Sequence, residues 1–222
     1  SFATMLAIPI STNDEFSGCI VIERFEERQY SEIQKFYLEK IAHILNTLLY
    51  WHADYHKMYL NTTIDNLTGL LNYHAFLKRL DVEMNRASRN EKSLVIIVID
   101  VDKFKRINDT LGHQIGNEAL KQIANIISLS VRTIDVVGRY GGEEFIIALN
   151  DSDTNNAEQI ADRIVNNVAN NIFIFNENRV KITISAGLSE YPKDSDQVQK
   201  LIEAADKAMY NAKQHGGNTF SL

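Results

Sequence analysis

The residues best suited to chemistry are acids at two places in the sequence, Asp100-Val-Asp102 and Glu143-Glu144. The first pair ends an uninterrupted apolar run rich in β-branched residues, and the second follows a Gly-Gly pair. Converging carboxylate oxygens are the ligands that Mg²⁺ takes, with substrate phosphate and water completing its shell. If the two segments meet at one edge of a sheet, they predict a metal site to which the Val101 carbonyl could contribute.

A simpler interpretation of each segment stays open. Asp100 and Asp102 could accept hydrogen bonds from local backbone N–H groups in a loop. Gly141-Gly142 favours a two-residue hairpin because both turn positions tolerate positive φ, and the glutamates after it could be solvated acids of a surface turn. If they start the return strand, one carboxylate is expected on each face of the sheet, since successive strand residues face opposite sides.

The elements that would position these acids follow from hydrophobic periodicity. The pattern predicts helices at about 73–89, 117–131, 156–168 and 196–214, and strands at about 93–99, 134–140, 145–149, 180–187 and 218–222. Asn72 is expected to cap the first of these helices. From residue 94 the order is β-α-β-β-α-β, the order of a ferredoxin-like fold. We therefore expect an α+β domain with an antiparallel, palm-like sheet and helices on its faces.

The first sixty residues have a different pattern of predicted elements. Two strands are predicted at 5–10 and 18–25, and a long helix follows Ser31. Two strands alone rarely form a stable unit, so they are interpreted as the end of a larger sheet. Apolar residues then step by three and four along the helix, at Ile41, Ile44, Leu48, Trp51, Tyr55 and Met58. This spacing predicts a parallel dimeric coiled coil, and a helix packed on its own domain is the alternative.

Composition narrows the function classes. The net charge of −6 disfavours binding to a nucleic-acid polymer, although a small phosphorylated ligand fits if a cation and local lysines neutralise it. Cys19 is the one cysteine, so no disulfide forms within the chain. No run approaches the roughly 18 apolar residues of a membrane span. We expect a cytoplasmic protein that could be part of a longer, membrane-associated one.

Several spaced motifs resemble the GGDEF family of diguanylate cyclases. They are the segment from Asp100 to Leu120, Arg139-Tyr-Gly-Gly-Glu-Glu-Phe145, Asp65-x-Leu-Thr-Gly-Leu-x-Asn72, Ser185-x-Gly187 and Ala205-Asp-x-Ala-x-Tyr-x-Ala-Lys213. The resemblance implies a nucleotidyl cyclase-like palm that condenses two GTP into cyclic di-GMP and releases pyrophosphate. It implies a catalytic domain at 64–222 and a signalling helix or coiled-coil linker at 31–63. Residues 1–30 resemble the C-terminal end of a GAF sensory domain.

The resemblance also assigns roles by position. Asp100, Glu143 and the Val101 carbonyl would bind Mg²⁺ or Mn²⁺, Glu143 would help deprotonate the ribose 3′-hydroxyl, and Glu144 would be a further catalytic acid. Substrate contacts are implied for Lys105, Asn108, His113, Asn117 and Lys213, the lysines at phosphate and the asparagines at guanine. A solvated surface remains the alternative for the lysines, and a structural role for His113.

The resemblance further implies regulation and assembly. Arg132, Asp135 and Arg163 match an inhibitory site that binds cyclic di-GMP, the alternative being a surface ion pair. Each domain would hold one GTP, so a homodimer through residues 31–63 would bring together the attacking hydroxyl and the α-phosphate.

Three positions depart from the family pattern. Asn117 stands where Asp is usual, Gly217 replaces an Arg that helps hold the triphosphate, and Tyr73 follows Asn72 where Arg is common. An amide offers guanine one acceptor and one donor, so GTP binding could weaken or base choice could relax, since adenine suits an amide better. A non-catalytic effector that binds cyclic di-GMP and a pure dimerisation module remain as alternative functions.

Overall fold

The computed structural model describes residues 4–12, 16–25, 29–61, 63–175 and 178–222, of which residues 4, 10–12, 16, 17, 24, 52–61 and 178 are described by their backbone alone. The chain forms two compact units, residues 1–61 and 62–222. In the first unit, β1 (Thr4–Thr12) and β2 (Phe16–Arg24) pair antiparallel, and α1 (Glu32–Asn61) follows. None of the helices in the described part of the chain combines the length and apolar character needed to cross a membrane.

Helix α1 begins at a reciprocal cap and carries an exposed apolar stripe. The Ser31 N–H donates to Gln34 Oε1 at 3.0 Å, and the Gln34 N–H donates to Ser31 Oγ at 3.3 Å, which satisfies two of the free donors at a helix start. Four side chains of the predicted seam are largely exposed: Ile41, Ile44, Leu48 and Trp51. The side chains of the other two, Tyr55 and Met58, lie outside those that the structure describes.

The second unit is built on one five-stranded sheet with the order β4-β5-β3-β8-β9. Its strands are β3 (Leu94–Val101), β4 (Val136–Arg139), β5 (Glu144–Asn150), β8 (Ile184–Tyr191) and β9 (Thr219–Ser221). All neighbours pair antiparallel except β8 and β9. A separate hairpin contains β6 (Phe173–Phe175) and β7 (Asn178–Val180). The predicted α+β fold with an antiparallel-rich sheet is confirmed.

Helices cover both faces of this sheet. They are α2 (Tyr73–Arg89), α3 (Phe104–Leu111), α4 (His113–Ser130), α5 (Thr154–Asn170) and α6 (Val198–Gln214). Every residue of β3 is buried. Ile97 belongs to the apolar cluster with α4 and α5, and the next residue, Val98, to the cluster with α2 and α6. A strand covered on both sides needs apolar residues at consecutive positions, which explains the run that predicted it.

Several elements differ from the prediction. Neither helix α3 nor the hairpin of β6 and β7 was predicted, and α4 begins at His113 because Gly112, at φ 88°, separates the two helices. The strand expected at 180–187 is β8, at 184–191. Its start is set by its partner: Ile184 pairs with Val101, the last residue of β3, and Tyr191 pairs with Leu94, the first. The predicted cap of α2 is present, since Asn72 Oδ1 accepts from the Ala75 N–H at 2.9 Å.

Candidate active site

Asp100 lies at the end of the central strand, between two neighbours. It pairs with Glu144 on β5 and with Ser185 on β8, and it is only 6% exposed. Lys213 Nζ lies 2.6 Å from Asp100 Oδ2. Burial raises the pKa of Asp100 above its ordinary value of 3.8, and Glu143 and Asp102 raise it further, whereas Lys213 lowers it. A buried carboxylate among other acids is stabilised by a cation, so this strand end favours positive charge.

The loop that carries Glu143 differs from the predicted hairpin. Arg139 pairs with Phe145, and the Tyr140 N–H donates to the Glu144 carbonyl at 2.9 Å, so residues 141–143 form the turn. Neither Gly141 nor Gly142 has a positive φ. The prediction of a two-residue turn with Glu143 already in the return strand is therefore wrong, because the ladder closes one residue later, at Glu144.

This turn lies directly beside the end of β3. The Val101 N–H donates to the Glu143 carbonyl at 3.3 Å. The two predicted acidic segments therefore meet at one sheet edge, where Glu143 and Asp100 are close enough for the charge of one to raise the pKa of the other. Glu144 is half-buried, and burial, then Asp100 and Asp206, raise its pKa above 4.5.

Arg139 holds the turn in place. Its Nε donates to the Gly141 carbonyl at 3.1 Å and its Nη2 to the Gly142 carbonyl at 2.7 Å. Its Nη1 lies 3.1 Å from both carboxylate oxygens of Asp65, and the Thr68 N–H and hydroxyl donate to Asp65 Oδ1 at 2.9 and 2.7 Å. Neither Arg139 nor Asp65 was predicted to have a role of its own, because the two residues are 74 positions apart in the sequence.

Asp102 joins segments that are distant in sequence. Its carboxylate accepts from Thr183 Oγ1 and Ser185 Oγ, both at 2.7 Å, and from the Asn218 N–H at 2.9 Å. The alternative of bonds to local backbone groups is wrong for this residue. Gly217 has a φ of 74°, and a Cβ there would lie 2.9 Å from both Asp102 carboxylate oxygens. A side chain at position 217 would therefore require Asp102 or the turn to shift.

The predicted nucleotide-binding residues fall on α3 and α4. Lys105 is exposed in the first turn of α3, and His113 and Asn117 are exposed in the first turns of α4. Asn108 packs against α4 so closely that a Cβ on Gly116 would lie 1.9 Å from Asn108 Oδ1. Asn108 therefore lies against the first turns of α4, and Lys213 lies beside Asp100 on α6.

The predicted inhibitory residues lie on the turn after α4 and on α5. Asp135 Oδ2 accepts from the Arg132 N–H at 2.8 Å, and Asp135 Oδ1 accepts from the Asn150 N–H at 3.0 Å. Arg163 Nη2 donates to the carbonyl of Ser130 at 2.6 Å. The three residues therefore belong to one surface region, and the Arg132 side chain is exposed.

The oxygen atoms at the end of β3 could bind an ion of the magnesium type only if water or substrate phosphate completes its coordination. In the ranges that the structure describes, no group of three or more His, Cys, Asp or Glu side chains could hold a metal by itself. Mg²⁺ is usually bound by one or two carboxylates with water and substrate phosphate, and seldom by an all-protein cage. Asp100, Glu143 and the Val101 carbonyl could supply such a partial set of oxygen ligands.

Known proteins share both the sequence and the fold. Residues 62–219 match the family described as "Diguanylate cyclase, GGDEF domain". Diguanylate cyclase A of Treponema denticola is 32% identical over all of this chain and 60% of its own length. Response regulator PleD of Caulobacter vibrioides is 35% identical over 96% of this chain and 45% of its own length. The chain thus spans about half the length of these relatives.

A solved structure agrees with the sequence matches. The coiled coil and GGDEF domain of DgcB from Caulobacter crescentus, in complex with c-di-GMP, has a TM-score of 0.68 and 26% identity. That likeness covers 82% of this chain and 97% of the DgcB chain. Because the family match covers most of the sequence and includes both acidic segments, the chain belongs to the GGDEF domain family of diguanylate cyclases.

Proposed function

We propose that this chain condenses two molecules of GTP into cyclic di-GMP and releases pyrophosphate. The observation that carries the proposal is the meeting of Asp100 with the Glu143 turn at the end of the central strand, where the Val101 N–H donates to the Glu143 carbonyl at 3.3 Å. A domain that only binds a ligand elsewhere has no need of several acids around a buried carboxylate at this position, because burying negative charge beside other negative charges is costly.

We assign each residue of the candidate active site a role in this reaction. Asp100, Glu143 and the Val101 carbonyl would hold Mg²⁺ or Mn²⁺, which supplies a lowered pKa for the ribose 3′-hydroxyl and charge neutralisation at the α-phosphate. Glu143 would help to deprotonate the hydroxyl, and the Glu144 carboxylate adds negative charge beside Asp100 and Glu143. Lys213 and Lys105 offset phosphate charge, while Asn108, Asn117 and His113 line the nucleotide pocket.

The homodimer belongs to the same proposal. Each domain binds one GTP, so two domains must face each other to supply both the hydroxyl and the α-phosphate, and holding them in that geometry removes much of the entropic barrier. The exposed stripe of Ile41, Ile44, Leu48 and Trp51 supports pairing through residues 31–63, because helices bury such stripes against a partner. Residues 1–30 would be the end of a GAF-like sensor, in a cytoplasmic protein.

Product inhibition would act at the surface formed by Arg132, Asp135 and Arg163. Arginine forks match phosphate and guanine edges, and the exposed Arg132 side chain is available for such contacts. The Asp135 carboxylate uses one lone pair of each oxygen for the Arg132 and Asn150 N–H groups. The remaining lone pairs could accept from guanine.

A second candidate function is a cyclase with relaxed base selectivity. Asn117 is exposed at the start of α4, next to the helix turn on which Asn108 packs. Its amide cannot accept from both guanine N–H donors, and an unpaired donor costs about 1–3 kcal/mol. Asn117→Asp is therefore expected to raise the preference for GTP over ATP.

Incubation of the chain with GTP, ATP or both, in the presence of Mg²⁺, tests these candidates when products are identified by mass. Cyclic di-GMP from GTP alone supports the leading proposal, and mixed or adenine-only cyclic dinucleotides support relaxed selectivity. Asp100→Asn should abolish both, whereas Asp196→Asn, a matched change of an exposed acid, should not. Tight binding of cyclic di-GMP without any turnover would show a non-catalytic effector instead.

A further inference from the structure

The turn at residues 141–143 has a second anchor, on the side of α2. Arg139 reaches from the turn to Asp65. Tyr140, the last residue before the turn, contacts Tyr73, the first residue of α2. The two ring centroids are 5.0 Å apart and the ring planes are inclined at 87°, which is the edge-to-face arrangement that aromatic pairs favour. Tyr73 therefore touches the residue that leads into the turn.

The start of α2 is fixed to β4 on both sides of Tyr73 in the sequence. Before it, Leu71 forms a parallel bridge with Gly138, and the Leu71 carbonyl accepts from the Arg139 N–H at 2.8 Å. After it, the fully buried Phe76 lies so close to β4 that a Cβ on Gly138 would be 2.9 Å from the Phe76 Cβ. Because both flanking segments are held, the helix start can serve as a firm support for the Tyr73 ring.

Tyr140 connects this support to the acids of the candidate active site. Its N–H donates to the Glu144 carbonyl at 2.9 Å, which closes the turn, and within the turn the Glu143 carbonyl accepts from the Val101 N–H. Burial raises the pKa of Tyr73 and a hydrogen bond with Tyr140 lowers it in part, so the two hydroxyls interact as well as the rings. Movement of Tyr140 would therefore shift the backbone that presents Glu143 to the end of β3.

Tyr73 differs from a neighbour that serves packing. Leu77, one helical turn further along α2, packs against the apolar cluster that α2 and α6 form on the sheet. The ring of Tyr73 is only half-buried and contacts the residue before the turn. Position 73 is also one of the places where this chain departs from the family pattern, so the aromatic contact is a feature of this chain.

We infer that Tyr73 is a positioning residue, which holds the turn of Glu143 beside Asp100 through its ring contact with Tyr140. The inference rests on the proposed function, since it concerns the geometry of the same site. Arg139 restrains the turn by binding its carbonyls, and Tyr73 restrains the residue before it. Loss of the Tyr73 ring lets the turn move. Metal binding and the chemical step then weaken, while the nucleotide contacts on α3 and α4 stay as they are.

Amide hydrogen exchange of the whole chain, followed by mass spectrometry of a peptide that spans residues 139–145, measures the order of the turn without metal or turnover. Tyr73→Leu removes the ring and Tyr73→Phe keeps it. Tyr73→Leu should speed exchange in this peptide by about three- to tenfold, the factor expected for one aromatic pair, and Tyr73→Phe should stay within about twofold of the wild type. In a Tyr140→Leu background, Tyr73→Leu should add nothing, because the partner ring is already absent.

Metal binding and kinetics supply the second readout. In Tyr73→Leu, the affinity for Mn²⁺ in the presence of a non-hydrolysable GTP analogue should fall by about three- to tenfold, and kcat should fall by a similar factor. KM for GTP should change by less than about twofold, since uniform binding of the nucleotide is kept. Leu77→Ala is the matched control: it should lower the free energy of unfolding but leave exchange in the turn, Mn²⁺ affinity and kcat unchanged.

Unchanged exchange and unchanged Mn²⁺ affinity in a folded Tyr73→Leu protein would overturn the inference. Equal losses in Tyr73→Phe would do the same, because the ring would then not be the part that matters, and so would equal losses in Leu77→Ala. If the wild type makes no cyclic di-GMP, the proposed function fails. The exchange measurement still decides whether Tyr73 holds the turn, because it uses no GTP.

Discussion

The Asp65–Arg139 pair offers the sharpest test of how the candidate active site is held. Asp65→Asn keeps the size of the side chain and its acceptor for Thr68 but removes the charge that faces Arg139 at 3.1 Å. The two side chains are 21% and 18% exposed. A charge-assisted bond contributes about 1.5–3 kcal/mol, and partial solvent screening lowers that. We expect a loss of about 1–2 kcal/mol in the free energy of unfolding.

The pH dependence gives an independent check. Burial raises the pKa of Asp65, but hydrogen bonds from Thr68 and the charge of Arg139 lower it by more, so the net pKa in the folded state lies below 3.8. An acid with a lowered pKa contributes stability above its unfolded pKa, and that stability is lost as pH falls through the folded value. The difference between wild type and Asp65→Asn should therefore be constant from pH 5 to 8 and should shrink below about pH 4.

Activity should fall when the Asp65–Arg139 pair is broken, because Arg139 also binds the Gly141 and Gly142 carbonyls. We expect kcat/KM for GTP to drop about tenfold in Asp65→Asn and further in Arg139→Lys, since lysine cannot donate to several acceptors in a fixed plane. Urea denaturation and a double-mutant cycle measure the coupling, with the exposed Asp81→Asn as control. A coupling energy near zero, or full activity in Arg139→Lys, would refute the reasoning.

Three further changes test other parts of the site. Asp100→Asn should abolish turnover. It should also stabilise the free protein at neutral pH, because the pKa of Asp100 is raised in the folded state, so ionisation of this carboxyl destabilises the wild type as pH rises above 3.8. Mg²⁺ with a GTP analogue should raise the melting temperature of the wild type but not that of the variant. Ile44→Asp with Leu48→Asp should give a monomer, by light scattering, with a folded catalytic unit and no turnover; a fully active monomer would contradict the dimer proposal. Arg163→Lys should raise the cyclic di-GMP concentration for half-inhibition at least fivefold, with unchanged uninhibited rate; equal inhibition would exclude Arg163 from the inhibitory site.

Whether a structural feature can be predicted from the sequence depends on how far apart in the sequence the interacting residues lie. The apolar run at 94–99 and the cap at Asn72 are local signals, and both predicted their elements correctly. The start of β8 could not be predicted locally, because it is fixed by the end of its partner, β3. The same holds for Asp102, whose hydrogen-bond partners Thr183 and Asn218 are 81 and 116 positions away.

In the candidate active site, too, local features were predicted from the sequence, whereas contacts between distant residues were not. Residue types and spacing were enough to select Asp100 and Glu143, since chemistry restricts which side chains can hold a divalent ion. The pairing that brings them together was an expectation, because pairing order is a property of the sheet and is not encoded near either residue. The turn length at Gly141-Gly142 was predicted from a local preference and was wrong. There, Arg139 binds the Gly141 and Gly142 carbonyls, and neither glycine uses the positive φ that it tolerates about as readily as negative φ.

Lys213 connects the metal acids to the phosphate chemistry. In the free protein its ammonium lies 2.6 Å from Asp100 Oδ2 and supplies the positive charge that this buried acid requires. A divalent ion at Asp100 would make that contact redundant, and like charges would then repel Lys213 toward the phosphates. The lysine would therefore change partner when metal and nucleotide arrive together.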